Sequence, residues 1–181
     1  DVERSRGLGD VYKRQLLFMA DVTGFMVGRA AEQAGIAKAG AKMITAMASA
    51  NVPKYTIIMG ASYGAGYLAM CGRPFNPTAM FAWPTGRAAI MGPDQAATVM
   101  ALVRKQINKT EGKEWTPEEE EAFKAPVRKI YEDFQPAKNF SSNLWVDGII
   151  DPVETRDAMG LLLDLASRTA AKPTPFGVFR F

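Results

Sequence analysis

Hydrophobic and polar positions divide this chain into short apolar runs closed by glycine or proline, followed by longer stretches of helical period. The run Leu16–Ala20, ending at Asp21, predicts a strand. From Gly35 to Ala50 the residues are small or apolar, with Ile36, Ala39, Met43, Ala46 and Met47 near one face. That pattern predicts a helix able to lie close to its neighbours. Tyr55–Met59, rich in β-branched residues between Pro53 and Gly60, predicts a buried strand. Arg73–Pro77 reads as a polar turn, Ala79–Trp83 as a second buried strand, and Arg87–Met91 as a short strand after the turn Pro84-Thr85-Gly86. Pro93 suits the first turn of a helix reaching about Ile107, and the polar stretch Asn108–Trp115 reads as a loop. Thr116, Pro117 and Glu119 form a capping signal for a helix reaching Phe134. Asn139–Val146 reads as helical, Asp147–Ile150 as a short strand, and Asp151 opens a last helix through Ser167. The resulting order begins β–α–β–α–β–β–α, an α/β pattern with glycine turns at strand ends.

Composition narrows what such a chain does. Its 181 residues, 48% hydrophobic and 23% charged, suffice for one domain with a sizeable core. The net charge of +3 is small, and no basic stripe interleaves with aromatics, so nucleic-acid binding is disfavoured. Cys71 is the one cysteine, which excludes an internal disulfide and a cysteine-based metal site. No apolar run approaches the roughly 20 residues of a membrane span. The acidic run Glu118–Glu121 is read as a solvated helix start and not as a metal site. Residues 1–15 lack any period, and the string DVYKRQ reads as a non-native, adaptor-derived leader, which places the domain at 16–181. The alternative is a native exposed segment.

Candidate chemistry concentrates after the strand at Tyr55–Met59. Gly60, Gly64 and Gly66, with Ala61 and Ala65 between them, precede Tyr67, Leu68, Ala69 and Met70. A strand, glycine turn and helix start leave backbone N–H groups unpaired, with no bulk to hold a ligand oxygen away. Two readings stand: a backbone anion or oxyanion site, or a close helix–strand contact needing small residues. Gly60-Ala61-Ser62-Tyr63-Gly64 also fits the G-x-S-x-G nucleophile elbow. A serine nucleophile needs a base, and the chain has no histidine, so a lysine or a missing segment would have to serve. The loop Val22–Gly28 shows Phe25 and Met26 to solvent unless they cover something.

A series of motifs, in order, resembles the C-terminal half of the carboxyltransferase β subunit of biotin-dependent acyl-CoA carboxylases. The match is nearest the methylcrotonyl-CoA and geranyl-CoA carboxylase branch. Its carriers are Val22–Gly28, Gly35-Ile-Ala-Lys38, Gly40–Met43, Asn51–Lys54, Ser62–Gly66, Met70–Arg73, Trp83-Pro84, Met91–Ala96, Trp145–Pro152, Thr155-Arg156 and Phe176–Arg180. Each motif is weak alone and specific in combination. The resemblance implies a crotonase-like (ClpP/crotonase) spiral of β-β-α units with a helical C-terminal part. It also implies half an enzyme: carboxybiotin is received here, while acyl-CoA is held by an N-terminal half.

In that family carboxybiotin gives up CO2 and its ureido group takes the acyl α-proton, so neither histidine nor a metal in this domain is required. The positions carried over are the backbone N–H groups of Ala65 and Gly66 as the oxyanion hole, with Thr23, Gly24, Phe25 and Gly64 around biotin. Tyr67 and Leu68 fall where acyl selectivity is partly set, Leu68 suiting an apolar acyl chain. Phe25 reads equally as a core residue of a tight loop. Arg29, Lys38, Lys42 and Arg73 read either as contacts to CoA or partner phosphates or as plain surface charges. Implied partners are acyl-CoA, the N-terminal half, a biotin carboxylase/biotin carrier subunit and further β subunits in a homo-oligomer. The implied compartment is the bacterial cytoplasm or the mitochondrial matrix. Two further readings stay open: a Clp-like serine hydrolase using Ser62, and a non-catalytic interaction domain. Exposed Phe25, Met26, Tyr67 and Leu68, with Phe176, Phe179 and Phe181 in the tail, predict self-association.

Overall fold

The computed structural model describes residues 14–112 and 115–169. Strand β2 (Lys54–Tyr63) is its axis, flanked in parallel by β1 (Leu16–Val22) and β3 (Ala79–Ala82). Strand β4 (Arg87–Ala89) pairs with the end of β2, and β5 (Gly148–Ile149) pairs with β3, both in parallel. The helices are α1 (Arg29–Gln33), α2 (Ile36–Ser49), α3 (Gly64–Ala69), α4 (Pro93–Thr110), α5 (Pro117–Phe134), α6 (Ala137–Ser142) and α7 (Thr155–Ser167).

Four successive residues of β2, Tyr55 to Ile58, are each at most 1% exposed. A strand apolar at every position belongs in a parallel sheet covered on both faces. On one face Tyr55, Ile57 and Ala79 pack against Met159 of α7. On the other, Ile58, Met80 and Ala82 pack with Ala137, Phe140 and Val146. Phe18, Met47 and Cys71 close a third cluster between β1 and α2. Two polar side chains early in β2 find backbone acceptors: Tyr55 Oη donates to the Leu162 carbonyl and Thr56 Oγ1 to the Cys71 carbonyl.

Four elements have boundaries that differ from the sequence expectation. The strand expected to stop at Met59 runs on to Tyr63, since Ala61–Tyr63 pair with β4 and Ser62 pairs with Val22. Gly60 does not break it; a Cβ there would lie 2.4 Å from Asp21 Oδ1, the atom that accepts the Ala61 N–H at 2.9 Å. Glycine makes room for that carboxylate. The expected loop from Asn108 begins later, because α4 reaches Thr110 with its polar residues mostly facing solvent. The helix expected over Asn139–Val146 is Ala137–Ser142, ended where Leu144 takes a left-handed φ of 59°. The strand expected over Arg87–Met91 ends at Ala89. The capping box at Thr116 and Glu119 forms as read.

Candidate functional site

The turn expected from the glycines forms at Gly64, directly after β2. Gly64 has φ of +53°, and a Cβ there would stand 2.9 Å from the Ile90 carbonyl oxygen. Both the left-handed conformation and the close backbone approach demand glycine. Helix α3 starts here with no side chain capping it. The first amides of a helix have no acceptor within it. Among the turn and cap hydrogen bonds of the described residues, none is donated by Ala65 or Gly66. Ala65 is exposed and Gly66 is buried.

Loop 22–28 comes to the same place. A Cβ on Gly66 would meet Val22 Cγ2 at 2.9 Å and Gly24 Cα at 3.3 Å, and one on Gly24 would lie 3.9 Å from the Tyr63 carbonyl. Gly24, with φ of +118°, therefore sits against both Tyr63 and Gly66. Two stretches forty residues apart in sequence become one surface. Thr23 is exposed beside them. Phe25 is half-buried, its ring lying where a Cβ on Gly40 would be, so it covers α2 and is not free surface. Met26 is 75% exposed, as expected.

On the far side of Gly64 lies an apolar cleft of about 550 Å3, floored by Ile58, Met80, Phe140 and Val146 and walled by Tyr67 and Leu68. Tyr67 and Leu68 are half-buried, which corrects the expectation of exposure. The cause is that the Tyr67 ring lies over Gly72 and its Oη accepts the Arg73 N–H at 2.8 Å. Burial pushes the Tyr67 phenol above its ordinary pKa, against the lowering effect of that hydrogen bond. Arg73 pairs with Asp147 at 3.1 Å, and Arg29, Lys38 and Lys42 stay on the surface. Phe176, Phe179 and Phe181 lie outside the described residues.

Ser62 sits inside β2, 1% exposed, and its Oγ has no hydrogen-bond partner. A nucleophile elbow requires the serine at an exposed strand-to-helix turn. Here the turn comes two residues later, and no base meets the hydroxyl. The hydrolase reading fails on this geometry.

Sequence reasoning missed one support. The buried Tyr63 hydroxyl donates to Gln135 Oε1, and the Gln135 carbonyl accepts the Ala88 N–H at 2.9 Å. Gln135 thereby ties the end of α5 to β4 and to the residue before Gly64. A polar side chain next to Pro136 at a helix end was its only local signal. A wider groove of about 920 Å3 lies elsewhere, between α4 and α5, lined by Met100, Val103, Trp115 and Phe123. No group of three or more His, Cys, Asp or Glu side chains among the described residues is arranged to hold a metal.

Comparison with known proteins places this arrangement. The chain is 49% identical over 173 residues to the biotin-dependent 3-methylcrotonyl-coenzyme A carboxylase β1 subunit of Mycobacterium tuberculosis, covering 96% of this chain and 33% of the relative. It is 50% identical over 168 residues to the mitochondrial methylcrotonoyl-CoA carboxylase β chain of Arabidopsis thaliana, covering 93% and 29%. The crystal structure of the P. aeruginosa geranyl-CoA carboxylase β subunit superposes with a TM-score of 0.85 at 37% identity, covering 99% of this chain and 34% of that one. The chain thus spans about a third of the length of these relatives. Its fold is crotonase-like, as these neighbours are. The profile described as the carboxyl transferase domain matches residues 12–177, and the chain belongs to that family.

Proposed function

We propose that this chain is the carboxybiotin-receiving part of the carboxyltransferase in a biotin-dependent acyl-CoA carboxylase. The supporting observation is the contact of Gly24 with Gly66, which sets an exposed small-residue loop beside the start of α3. When bound, carboxybiotin supplies the carboxyl group and, through its ureido ring, the base.

The chain's own residues then supply position and charge stabilisation. A small, flat ureido group fits a surface built from Gly24, Gly64 and Ala65, where the backbone approaches without side-chain bulk. The N–H groups of Ala65 and Gly66 hold the negative charge at the ureido oxygen; one such donor is worth about 3 kcal/mol of barrier. Thr23, Gly24, Phe25 and Gly64 shape the ring's pocket, with Phe25 acting through its packing on Gly40. Tyr67 and Leu68 face the acyl side. Nothing in this scheme asks Ser62 for a nucleophile.

The relatives named for methylcrotonyl-CoA and geranyl-CoA support branched acyl-CoA substrates for the complete protein. An N-terminal half, within the part of the relatives that this chain does not span, holds CoA. A carrier subunit delivers biotin, and other β subunits complete the assembly, as in the hexamer named for transcarboxylase 12S. The compartment on this reading is the bacterial cytoplasm, or the mitochondrial matrix if the source is eukaryotic.

The test supplies the complete β subunit bearing this sequence with a carboxylated biotin carrier and branched acyl-CoA. Labelled carboxyl transfer is the expected outcome, and the 181-residue chain alone is expected to be inactive. A folded complete assembly that transfers no carboxyl group to any acyl-CoA leaves the non-catalytic interaction domain as the better reading.

A further inference from the structure

Strands β1 and β2 run in step from Leu16 opposite Lys54 to Ala20 opposite Ile58, and then fall out of step. The next pair is Val22 with Ser62, so Asp21 alone stands against Met59, Gly60 and Ala61. This is a bulge in β2, and a bulge interrupts the ladder of backbone hydrogen bonds. In that gap the Ala61 N–H goes to a side chain: the Asp21 carboxylate accepts it at 2.9 Å. A hydrogen bond to an ionised acceptor is stronger than one between neutral groups. Gly60 keeps the place open, since a Cβ there would stand 2.4 Å from Asp21 Oδ1 and 3.2 Å from Oδ2. Neither Asp21 nor Gly60 has a part in the chemistry proposed above.

We infer that Asp21 is a positioning residue for carboxyl transfer: by holding the Ala61 N–H, its carboxylate fixes the bulge that brings loop 22–28 against the start of α3. The inference rests on the carboxyltransferase reading and adds a residue to that same site. Register supplies the reason. Were β1 and β2 to stay in step beyond Ala20, Val22 would fall opposite Gly60 instead of Ser62. Two residues along a strand amount to about 7 Å. The contact at stake is tight, for a Cβ on Gly66 would meet Val22 at 2.9 Å and Gly24 at 3.3 Å. A slip of that size parts Gly24 from Gly66 and takes Thr23 and Gly24 away from the Ala65 and Gly66 amides. Further along the loop Phe25 packs on Gly40, so Asp21 secures the near end and Phe25 the far one. Tyr67, on the acyl side, is held separately, by Gly72 and the Arg73 N–H. Losing the Asp21 contact therefore disturbs the carboxybiotin side and spares the acyl side.

The complete β subunit bearing this sequence is assayed in the reverse direction, with a carboxylated branched acyl-CoA as donor and free biotin as acceptor. Asp21→Ala is expected to raise KM for biotin and to lower kcat/KM for biotin about ten- to a hundredfold, the scale of loss when a site is misplaced by about an ångström. KM for the acyl-CoA is expected to stay nearly unchanged. Asp21→Asn keeps an oxygen acceptor at the same place and is expected to restore most of the loss. A side chain needed only for folding would lower the amount of active enzyme and leave both KM values alone. An unchanged KM for biotin in folded Asp21→Ala therefore overturns the inference. If Asp21→Ala does not fold, Gly60→Ala, whose Cβ drives the carboxylate off Ala61, replaces it with the same expectation and the same contrary result. Independently of both, a loss of that size in folded Asp21→Asn overturns the acceptor role. An unaltered, folded β subunit that passes no carboxyl group to biotin instead defeats the underlying carboxyltransferase reading.

Discussion

Gly66 and Gly24 stand so close that a β-carbon on the first would lie 3.3 Å from the Cα of the second. The nearer obstacle to that β-carbon is Val22, at 2.9 Å, whose side chain can turn aside. Gly24 is backbone and must move. Gly66→Ala is therefore expected to cost about 1–3 kcal/mol, the usual range for overpacking, and to lower carboxyl transfer by displacing loop 22–28. Adding Val22→Ala should recover part of the stability and little of the activity. Urea melts and carboxyl-transfer rates on the two variants check this; full recovery of both would show that Val22 alone makes the contact matter.

Gly64→Ala tests the turn itself. Alanine pays the left-handed penalty of about 1–2 kcal/mol and also meets the Ile90 carbonyl at 2.9 Å. A loss of at least about 2 kcal/mol in unfolding free energy is expected. A loss below about 0.5 kcal/mol would mean the backbone relaxes out of the conformation described here.

The α/β class, the order of strands and the glycine turn were readable because β2 is apolar at consecutive positions and glycine punctuates the sequence. The end of β2 was not. Gly60 looks like a terminator, and only the Asp21 carboxylate, forty residues away, shows why a glycine belongs inside the strand. Exposure was the hardest property to read. Phe25, Tyr67 and Leu68 looked free, yet Phe25 covers Gly40 and Tyr67 folds over Gly72. The exposed apolar residues sit instead at Leu17 and Met19 on β1, Leu102 and Val103 on α4, and Leu161 and Leu165 on α7. Helical and strand periodicity says which residues share a face, not which face finds a cover. Gln135 illustrates the same limit, since its partner Tyr63 lies 72 residues back.

That pair makes a third prediction. Tyr63 is 8% exposed and Gln135 4%, so Tyr63→Phe leaves a buried amide oxygen without its donor. The cost should be about 1–3 kcal/mol. Replacing both partners, Tyr63→Phe with Gln135→Met, should be milder than the sum of the single changes. A strictly additive double-mutant cycle would mean the hydrogen bond contributes nothing specific.

Alkaline pH gives a fourth. Burial raises the Cys71 thiol above 9.0 and the phenols of Tyr55, Tyr63 and Tyr67 above 10.0. Groups raised in the folded state favour folding fully below their ordinary values, because both states are then protonated. Above those values the unfolded chain ionises first and stability falls as pH climbs toward the folded-state pKa values. The urea midpoint should therefore hold from pH 7 to about 8.5 and decline from there to pH 11. Thiol reagents should reach Cys71, which is fully buried, only on unfolding. A midpoint that rises through this range would contradict the burial of these groups.

On the proposed reading, the backbone amides at the start of α3 stabilise charge during carboxyl transfer. The most direct measurement incorporates lactic acid in place of Ala65, turning one N–H into an ester oxygen while keeping the methyl side chain. In the complete carboxylase, kcat is predicted to fall about a hundred- to a thousandfold, with KM for acyl-CoA and the urea midpoint nearly unchanged. An undiminished kcat in a correctly folded ester variant would rule out the Ala65 N–H as an oxyanion donor.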